Sequence, residues 1–187
     1  MRVSREEMEK SHVRIVEGAA RLVRERGIDN TSVADVMNDA GLTHGGFYRH
    51  FQTKDQLLTA AVEKAFADLT AALDARFKKY DREGAIADYH ADYLSKPHLD
   101  QPGKGCPIAA LAGDVARAPV ALKAVFGAGV KRLIAKLAEG VRGPAQDRQA
   151  KAARRLAMLV GAVMIARASD PEAARTVLEA CQDGHDK

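Results

Sequence analysis

The sequence predicts an all-α protein of about nine helices, and three observations carry that expectation. Apolar residues recur at the three-to-four spacing of amphipathic helices along most of the chain. Ala is by far the commonest residue, Arg, Leu and Val are frequent, Trp is absent and aromatics make up 5%, a balance that favours helices over sheets. Ser, Thr and Asp caps, Gly stops and X-Pro openings cut the chain into helix-length pieces. A length of 187 residues suits a small domain, expected over 1–52, and a medium helical domain over 53–187.

The first helix opens at the capping box Ser4-Arg5-Glu6-Glu7, buries a face built on Val13, Val16, Ala20 and Val23, and stops at Gly27. Ser32-Val33-Ala34-Asp35 caps a short second helix carrying Val33, Val36, Met37 and Ala40. Gly41 ends it, since Gly accepts the left-handed backbone of a helix C-terminus. Leu42 plugs the turn, and the Thr43 hydroxyl is placed to cap the next helix, Thr43 to Phe51. Phe47 and Phe51 lie four apart and face inward, which leaves His44, Gly45, Tyr48 and Arg49 on the outer face. Two short helices across a Gly-containing turn form a helix-turn-helix.

Thr53-Lys54-Asp55-Gln56 reads as another capping box, opening a long helix that carries Leu57, Leu58, Ala61, Ala65, Phe66, Leu73 and Phe77 and runs out near Asp81 to Gly84. Further helices are expected over about 85–95, 107–117 and 118–140, with Lys96 to Gly105 as a Pro/Gly-rich loop. The penultimate helix covers about 146–168. Asp170-Pro171 caps and opens the last one, and the tail from Asp183 is expected to fray. The run Ala157 to Ala166 is apolar on every side, so it must be covered on two faces, one of them by more chain or by a second subunit. Val163 is taken as part of the outer face.

The net charge of +4 is compatible with a nucleic-acid partner but does not locate it. Residues 1–60 hold nine basic and nine acidic side chains, so affinity for phosphates must come from a few placed groups. No apolar run reaches the ~18 residues of a membrane span, and the N-terminus MRVSREEMEK has no apolar signal core. A cytoplasmic location is expected. No metal or cofactor is expected, because no Cys/His spacing suits zinc and no phosphate-cradling Gly loop is present.

The stretch Thr31 to Leu58 resembles the TetR family of bacterial transcriptional regulators. The resemblance rests on Thr31, Ala40-Gly41-Leu42, Thr43-His44-Gly45-Gly46-Phe47-Tyr48-Arg49-His50-Phe51 and Lys54 to Leu57, and covers about the first quarter of the chain. One departure is Gly46, where the family often has Ala, Thr or Ser. A second Gly there loosens the helix by ~1 kcal/mol relative to Ala. The resemblance implies an N-terminal helix-turn-helix domain and a C-terminal helical ligand-binding and dimerisation domain. It implies a ligand-responsive repressor that leaves a palindromic double-stranded operator when an inducer, of unknown identity, binds. It further implies DNA contacts by Thr43, His44, Gly45, Tyr48, Arg49, His50 and Lys54, with Tyr48 and Lys54 on phosphates. It implies a homodimer built on the last two helices, and an inducer cavity for which Phe66, Tyr89, Tyr93, Phe126 and Met158 are candidate lining residues. Three of these have alternatives: Arg49 pairing with Asp39 or Asp35, His44 as a solvated surface histidine, and Tyr48 as a partly buried side chain of the three-helix core.

Cys106 stands at the start of a helix, after Gly103-Lys104-Gly105 and before Pro107. A helix N-terminus and a nearby Lys lower a thiol pKa, which makes Cys106 a candidate electrophile or redox sensor. The competing reading is a small buried residue. A catalytic role is not expected. The best rival of that class is a helical thiol enzyme using Cys106 with His90 or His98, and it lacks a second Cys at redox spacing.

Overall fold

The computed structural model describes residues 4–182, and every described element is helical. In chain order these are α1 (Arg5–Arg26), α2 (Val33–Asp39), a 3₁₀ segment (His44–Arg49), α3 (Lys54–Lys79), α4 (Arg82–Tyr93), α5 (Lys96–Asp100), a 3₁₀ turn (Pro102–Lys104), α6 (Pro107–Val115), α7 (Val120–Ala138), α8 (Ala145–Ala168) and α9 (Pro171–Gln182). The all-α class and the boundaries of the long helices follow the sequence reading.

Three local expectations are corrected. Lys96 to Gly105 is not a loop. The Ser95 hydroxyl accepts from the His98 N–H, and Pro97 preorganises the first turn, so Lys96–Asp100 becomes helical before the 3₁₀ turn. The start of α4 falls at Arg82, because the Asp81 carboxylate accepts from the Gly84 N–H at 2.8 Å. Only half of the Thr53 box forms. The Thr53 hydroxyl accepts from the Gln56 N–H, but the Gln56 side chain accepts from the Gln52 N–H instead of returning to Thr53.

The long α3 is the spine. It packs on α1 and on α7, with Lys64 of its first half near Glu17 of α1 and Asp74 of its second half paired with Lys136 of α7. Ala61, Val62, Ala65, Phe66 and Leu73 are wholly or almost wholly buried along it, within one buried cluster that runs from Ile15 to Val163. Burying a side chain of the size of Phe66 or Leu73 contributes about 1.5–3 kcal/mol. The α3–α7 crossing is close because Gly129 lies against the Phe66 ring, where a Cβ would come within 2.3 Å of it. Phe126 completes the contact edge-on, with ring centroids 5.4 Å apart.

On α8 the apolar run is divided differently from expectation. Val163 is fully buried with Leu159 and Ala162, whereas Met164 is 40% and Ile165 49% exposed. The helical phase turns Val163 into its own chain, so it is not an outer-face residue. Packed mainly on α8, α9 keeps Val177, Leu178 and Cys181 half-buried and no residue fully buried.

Two arginines join the segment 95–106 to helices far away in sequence. Arg24 of α1 donates to the Gly105 carbonyl at 3.0 Å, and Arg167 of α8 donates to the His98 and Leu99 carbonyls at 2.5 and 3.1 Å. Between them, His98 accepts the Cys106 N–H on Nε2 at 3.0 Å, so Nδ1 carries the proton and donates to the Tyr93 carbonyl at 2.6 Å. Only the neutral ring makes both bonds. Burial pushes the His98 pKa below its ordinary 6.5, with Arg167 acting the same way and the Tyr93 carbonyl opposing. The lowered value fixes the sign of the linkage: the stabilisation is complete above pH 6.5 and is lost as pH falls through the lower folded-state pKa. Urea titrations between pH 7 and 5 are therefore expected to show stability falling with pH, and His98→Gln to flatten that slope. An equally steep slope in the variant contradicts this role.

Candidate nucleic-acid interface

The helix-turn-helix is assembled by backbone chemistry readable residue by residue. The Ser32 hydroxyl accepts from the Asp35 N–H at 3.1 Å while the Asp35 carboxylate accepts from the Ser32 N–H at 2.9 Å. At the other end of α2, Gly41 adopts φ +67, its N–H donates to the Asn38 carbonyl and that of Leu42 to the Met37 carbonyl. This is a Schellman stop, which sets the sharp exit.

The next element differs from the expected α-helix: His44–Arg49 is a six-residue 3₁₀ segment. Thr43 holds the N-cap position, yet its side chain makes no capping bond. With no side-chain cap and two successive glycines, Gly45 and Gly46, nothing offsets the high helical cost of Gly. The chain settles for the tighter i→i+3 pattern, such as the Gly46 N–H to the Thr43 carbonyl at 2.9 Å. A Cβ at Gly46 would meet only ordinary contacts, the nearest being the end of Met37 at 3.5 Å. Gly46→Ala is expected to raise stability by about 0.5–1 kcal/mol, read as a higher urea midpoint at unchanged slope. A lower midpoint contradicts the account of the 3₁₀ segment.

Phe47 and Phe51 anchor the segment, 2% and 6% exposed, with rings stacked at 5.8 Å. Their burial directs His44, Gly45, Tyr48 and Arg49 to solvent, Tyr48 being 71% exposed with its ring edge-on to Phe47. Residues three apart eclipse in a 3₁₀ turn, so Tyr48 stands in line with Gly45, beside which there is open space. An aromatic ring with a hydroxyl tip, an arginine and an imidazole thus project together from one short turn.

The remaining candidates sit at the edges of this face. His50 is half-buried beside His12, ring centroids 5.7 Å apart, and His12 stacks on Phe51 at 4.9 Å. Burial lowers the His50 pKa, and the neighbouring His12 and Arg49 lower it further. The ring therefore offers hydrogen bonds more readily than charge. The Lys54 ammonium donates to the Ile28 carbonyl at 3.3 Å. That carbonyl is an internal partner the sequence did not reveal, where an external anion was the expected reason for a cation in the first turn of α3. The carboxylates proposed as alternatives for Arg49 are engaged from α1: Asp39 pairs with Arg21, and Asp35 lies 3.9 Å from Arg26. Those pairings also soften the repulsion that α2 would present to a polyanion.

The other singled-out residues lie in the C-terminal half. Phe66, Tyr89 and Tyr93 are core residues, 1–3% exposed, and Phe126 and Met158 are half-buried against the same core. Among the described residues the buried Tyr89 hydroxyl has no hydrogen-bond partner, and the buried Tyr93 hydroxyl faces the Cys106 thiol. An open cavity of about 980 Å³ is lined by a different set, mostly on α4, α8 and the α7–α8 connection, including Ile86, His90, Leu94, Val141, Lys151 and Arg155. Apart from His90, these escape sequence reasoning because their signal is spread over distant segments.

Cys106 is the N-cap residue of α6 and only 1% exposed. Burial raises its thiol pKa, outweighing the Tyr93 hydroxyl and the Ala109 and Ile108 N–H groups, which act to lower it. The lowered pKa expected of a helix N-terminus is therefore reversed, because the site is dry. Iodoacetamide at neutral pH is expected to leave Cys106 unmodified in the native protein and to label it in denaturant. Native labelling at the rate of a free peptide thiol contradicts this. The His90 Nε2 lies 2.9 Å from the Cys181 carbonyl. Among the described residues no group of His, Cys, Asp and Glu is arranged to hold a metal ion, and no helix is long and apolar enough to cross a membrane.

A capped short helix, a Gly stop, a solvent-facing second element and a long spine helix define a helix-turn-helix. Residues 15–61 match the family model for bacterial regulatory proteins of the tetR family. The chain is 35% identical over 63 residues to the HTH-type transcriptional regulator TtgR of Pseudomonas putida, a match covering 34% of this chain and 30% of that protein. It is 33% identical over 121 residues to the uncharacterized HTH-type transcriptional regulator Rv0196 of Mycobacterium tuberculosis, covering 57% and 56%. The matched segments thus span about a third to a half of these relatives. A crystal structure of a TetR transcriptional regulator from Chloroflexus aurantiacus superposes with a TM-score of 0.74 at 27% identity, over 93% of this chain and 91% of that one. The reduced form of E. coli NemR shares the fold, with a TM-score of 0.73 at 19% identity over 92% and 95%. The likeness to TetR regulators thus covers residues 15–61 in sequence and nearly the whole chain in fold.

Proposed function

We propose that this protein is a homodimeric, ligand-responsive transcriptional repressor acting in the cytoplasm, in which residues 1–52 bind operator DNA and residues 53–187 bind inducer and form the dimer. The observation that carries the reading is the exposed row His44, Gly45, Tyr48 and Arg49, held outward by the buried Phe47 and Phe51. Thr43, His44 and Gly45 stand where the N-terminal end of a recognition element meets base edges. Tyr48, Arg49, His50 and Lys54 then meet phosphates and fix the register. Lys54 exchanges the Ile28 carbonyl for a phosphate oxygen, a stronger charge-assisted bond. No catalytic step is assigned to the chain.

The exposed Met164 and Ile165 and the half-buried stripe of α9 form the dimer surface. Two subunits then present their recognition elements about one helical turn, ~34 Å, apart on a palindrome. Inducer in the C-terminal helices favours a dimer whose spacing no longer fits, and by linkage operator and inducer weaken each other equally. Arg24 and Arg167 make the segment 95–106 the connection through which a shift of α8 reaches α1. Selection of random DNA by the purified protein tests the reading. Recovery of a palindrome with half-sites about 10 base pairs apart supports it. Recovery of no common sequence overturns it.

A further inference from the structure

The turn that leads from α1 into α2 is held by α6. Gly27 stops α1 at φ +85, and its carbonyl accepts from the buried Thr31 hydroxyl at 2.8 Å. Between these two residues the Ile28 peptide is bonded on both sides. Its N–H donates to Oδ2 of Asp114 on α6 at 2.9 Å, and its carbonyl accepts from Lys54 at the start of α3 at 3.3 Å. The carboxylate lies so near the turn that a Cβ at Gly27 would come within 2.9 Å of Oδ2. Its other oxygen, Oδ1, accepts from Arg117 at 3.2 Å, which fixes its rotation. Asp114 stands in the last turn of α6, where the helix dipole disfavours a negative charge. A donor outside the helix offsets that cost, and the Ile28 N–H is that donor. Packing beside the bond is open. A cleft of about 250 Å³ is lined by Ile28, Asp29 and Lys54 and, from the α6–α7 corner, by Arg117, Ala118 and Leu122. A hydrogen bond therefore spans a junction that side chains leave partly unfilled. The same α6 packs on α8, which carries the exposed Met164 and Ile165.

We propose that Asp114 is a positioning residue that sets the spacing of the two recognition elements: by tying the Ile28 turn to α6, it fixes the angle at which each helix-turn-helix leaves the body of the dimer. This role rests on the dimeric-regulator reading and deepens it by naming a residue behind its half-site specificity. Asp114 is no part of the outward row His44–Arg49, so loosening its bond leaves each half-site contact in place. What changes is the range of spacings that the dimer presents. The effective concentration of the second element at the correct half-site falls, and wrong spacings become accessible.

The test measures affinity of the full chain for three DNAs: the palindrome selected by the unaltered protein, that palindrome with one base pair inserted at its centre, and a single half-site. The insertion turns the half-sites by about a tenth of a helical turn. The unaltered protein is expected to lose at least about tenfold on insertion. Asp114→Ala is expected to lose about tenfold on the parent palindrome and to bind the parent and inserted forms within about threefold of each other. Its half-site affinity is expected to equal that of the unaltered protein. Asp114→Asn keeps an oxygen that accepts the Ile28 N–H, and is expected to restore the insertion penalty. Indifference of the unaltered protein to the insertion, a full penalty in Asp114→Ala, or an Asn variant as indifferent as the Ala variant overturns the role. So do equal losses on palindrome and half-site, the pattern of a folding defect. If Asp114→Ala does not fold, hydrogen exchange of the Ile28 amide in the unaltered protein decides. Protection supports the bond, and exchange at the rate of a free peptide overturns it. Absence of any preferred palindrome for the unaltered protein refutes the regulator reading and this role with it. A palindrome bound with the Asp114 pattern absent refutes the role of Asp114 alone.

Discussion

Met164→Glu combined with Ile165→Glu is expected to yield monomers and to cut operator affinity by about 100-fold or more. Both side chains are substantially exposed on α8, at 40% and 49%, so the chain tolerates the change on its own and only a surface made by two chains is damaged. Placing carboxylates in such a surface buries charges without partners. Losing the dimer removes the second half-site contact, whose effective concentration multiplies affinity by ~10²–10⁴. Val163→Glu is the control that separates assembly from folding. Val163 is fully buried, and a carboxylate there is expected to unfold the protein. Sedimentation of the double variant as a folded dimer with full operator affinity removes α8 from the interface.

The second large effect concerns Phe47. Phe47→Ala is expected to cost about 3–5 kcal/mol, the usual loss for a fully buried aromatic, and to abolish operator binding. Phe47 is 2% exposed, stacks on Phe51 and supports Tyr48 edge-on. It is the residue that pins a 3₁₀ segment otherwise weakened by two glycines and an unused cap. Tyr48→Phe keeps the ring and removes only the exposed hydroxyl, so it is expected to leave the melting temperature unchanged while weakening DNA binding. Equal melting temperatures for Phe47→Ala and the unaltered protein contradict the anchoring role.

Much of this architecture is written locally. Ser4, Ser32, Thr53 and Asp170 announce helix starts because a cap needs only a side chain and an amide two or three residues away. Gly27 and Gly41 announce stops for the same reason. The inward pair Phe47 and Phe51 and the outward Tyr48 follow from periodicity alone. What stayed hidden depends on distant partners. The Ile28 carbonyl beneath Lys54, the Arg24 and Arg167 bonds to segment 95–106, and the dry surroundings of Cys106 all join residues far apart in sequence. The phase of α8 was misread at Val163 because a helix that is apolar all round gives no hydrophobic stripe to orient it. Most of the lining of the open cavity escaped because it is gathered from α4, α8 and the connection before α8, segments distant in sequence.

The central claim is that the outward face of His44–Arg49 reads DNA. Its most direct test is the affinity of Tyr48→Ala/Arg49→Ala for the selected operator across a series of salt concentrations. The account predicts a loss of at least about tenfold and a salt slope shallower by about one unit, since one phosphate cation is gone, with the fold intact by circular dichroism. Unchanged affinity and an unchanged slope in the folded variant contradict it.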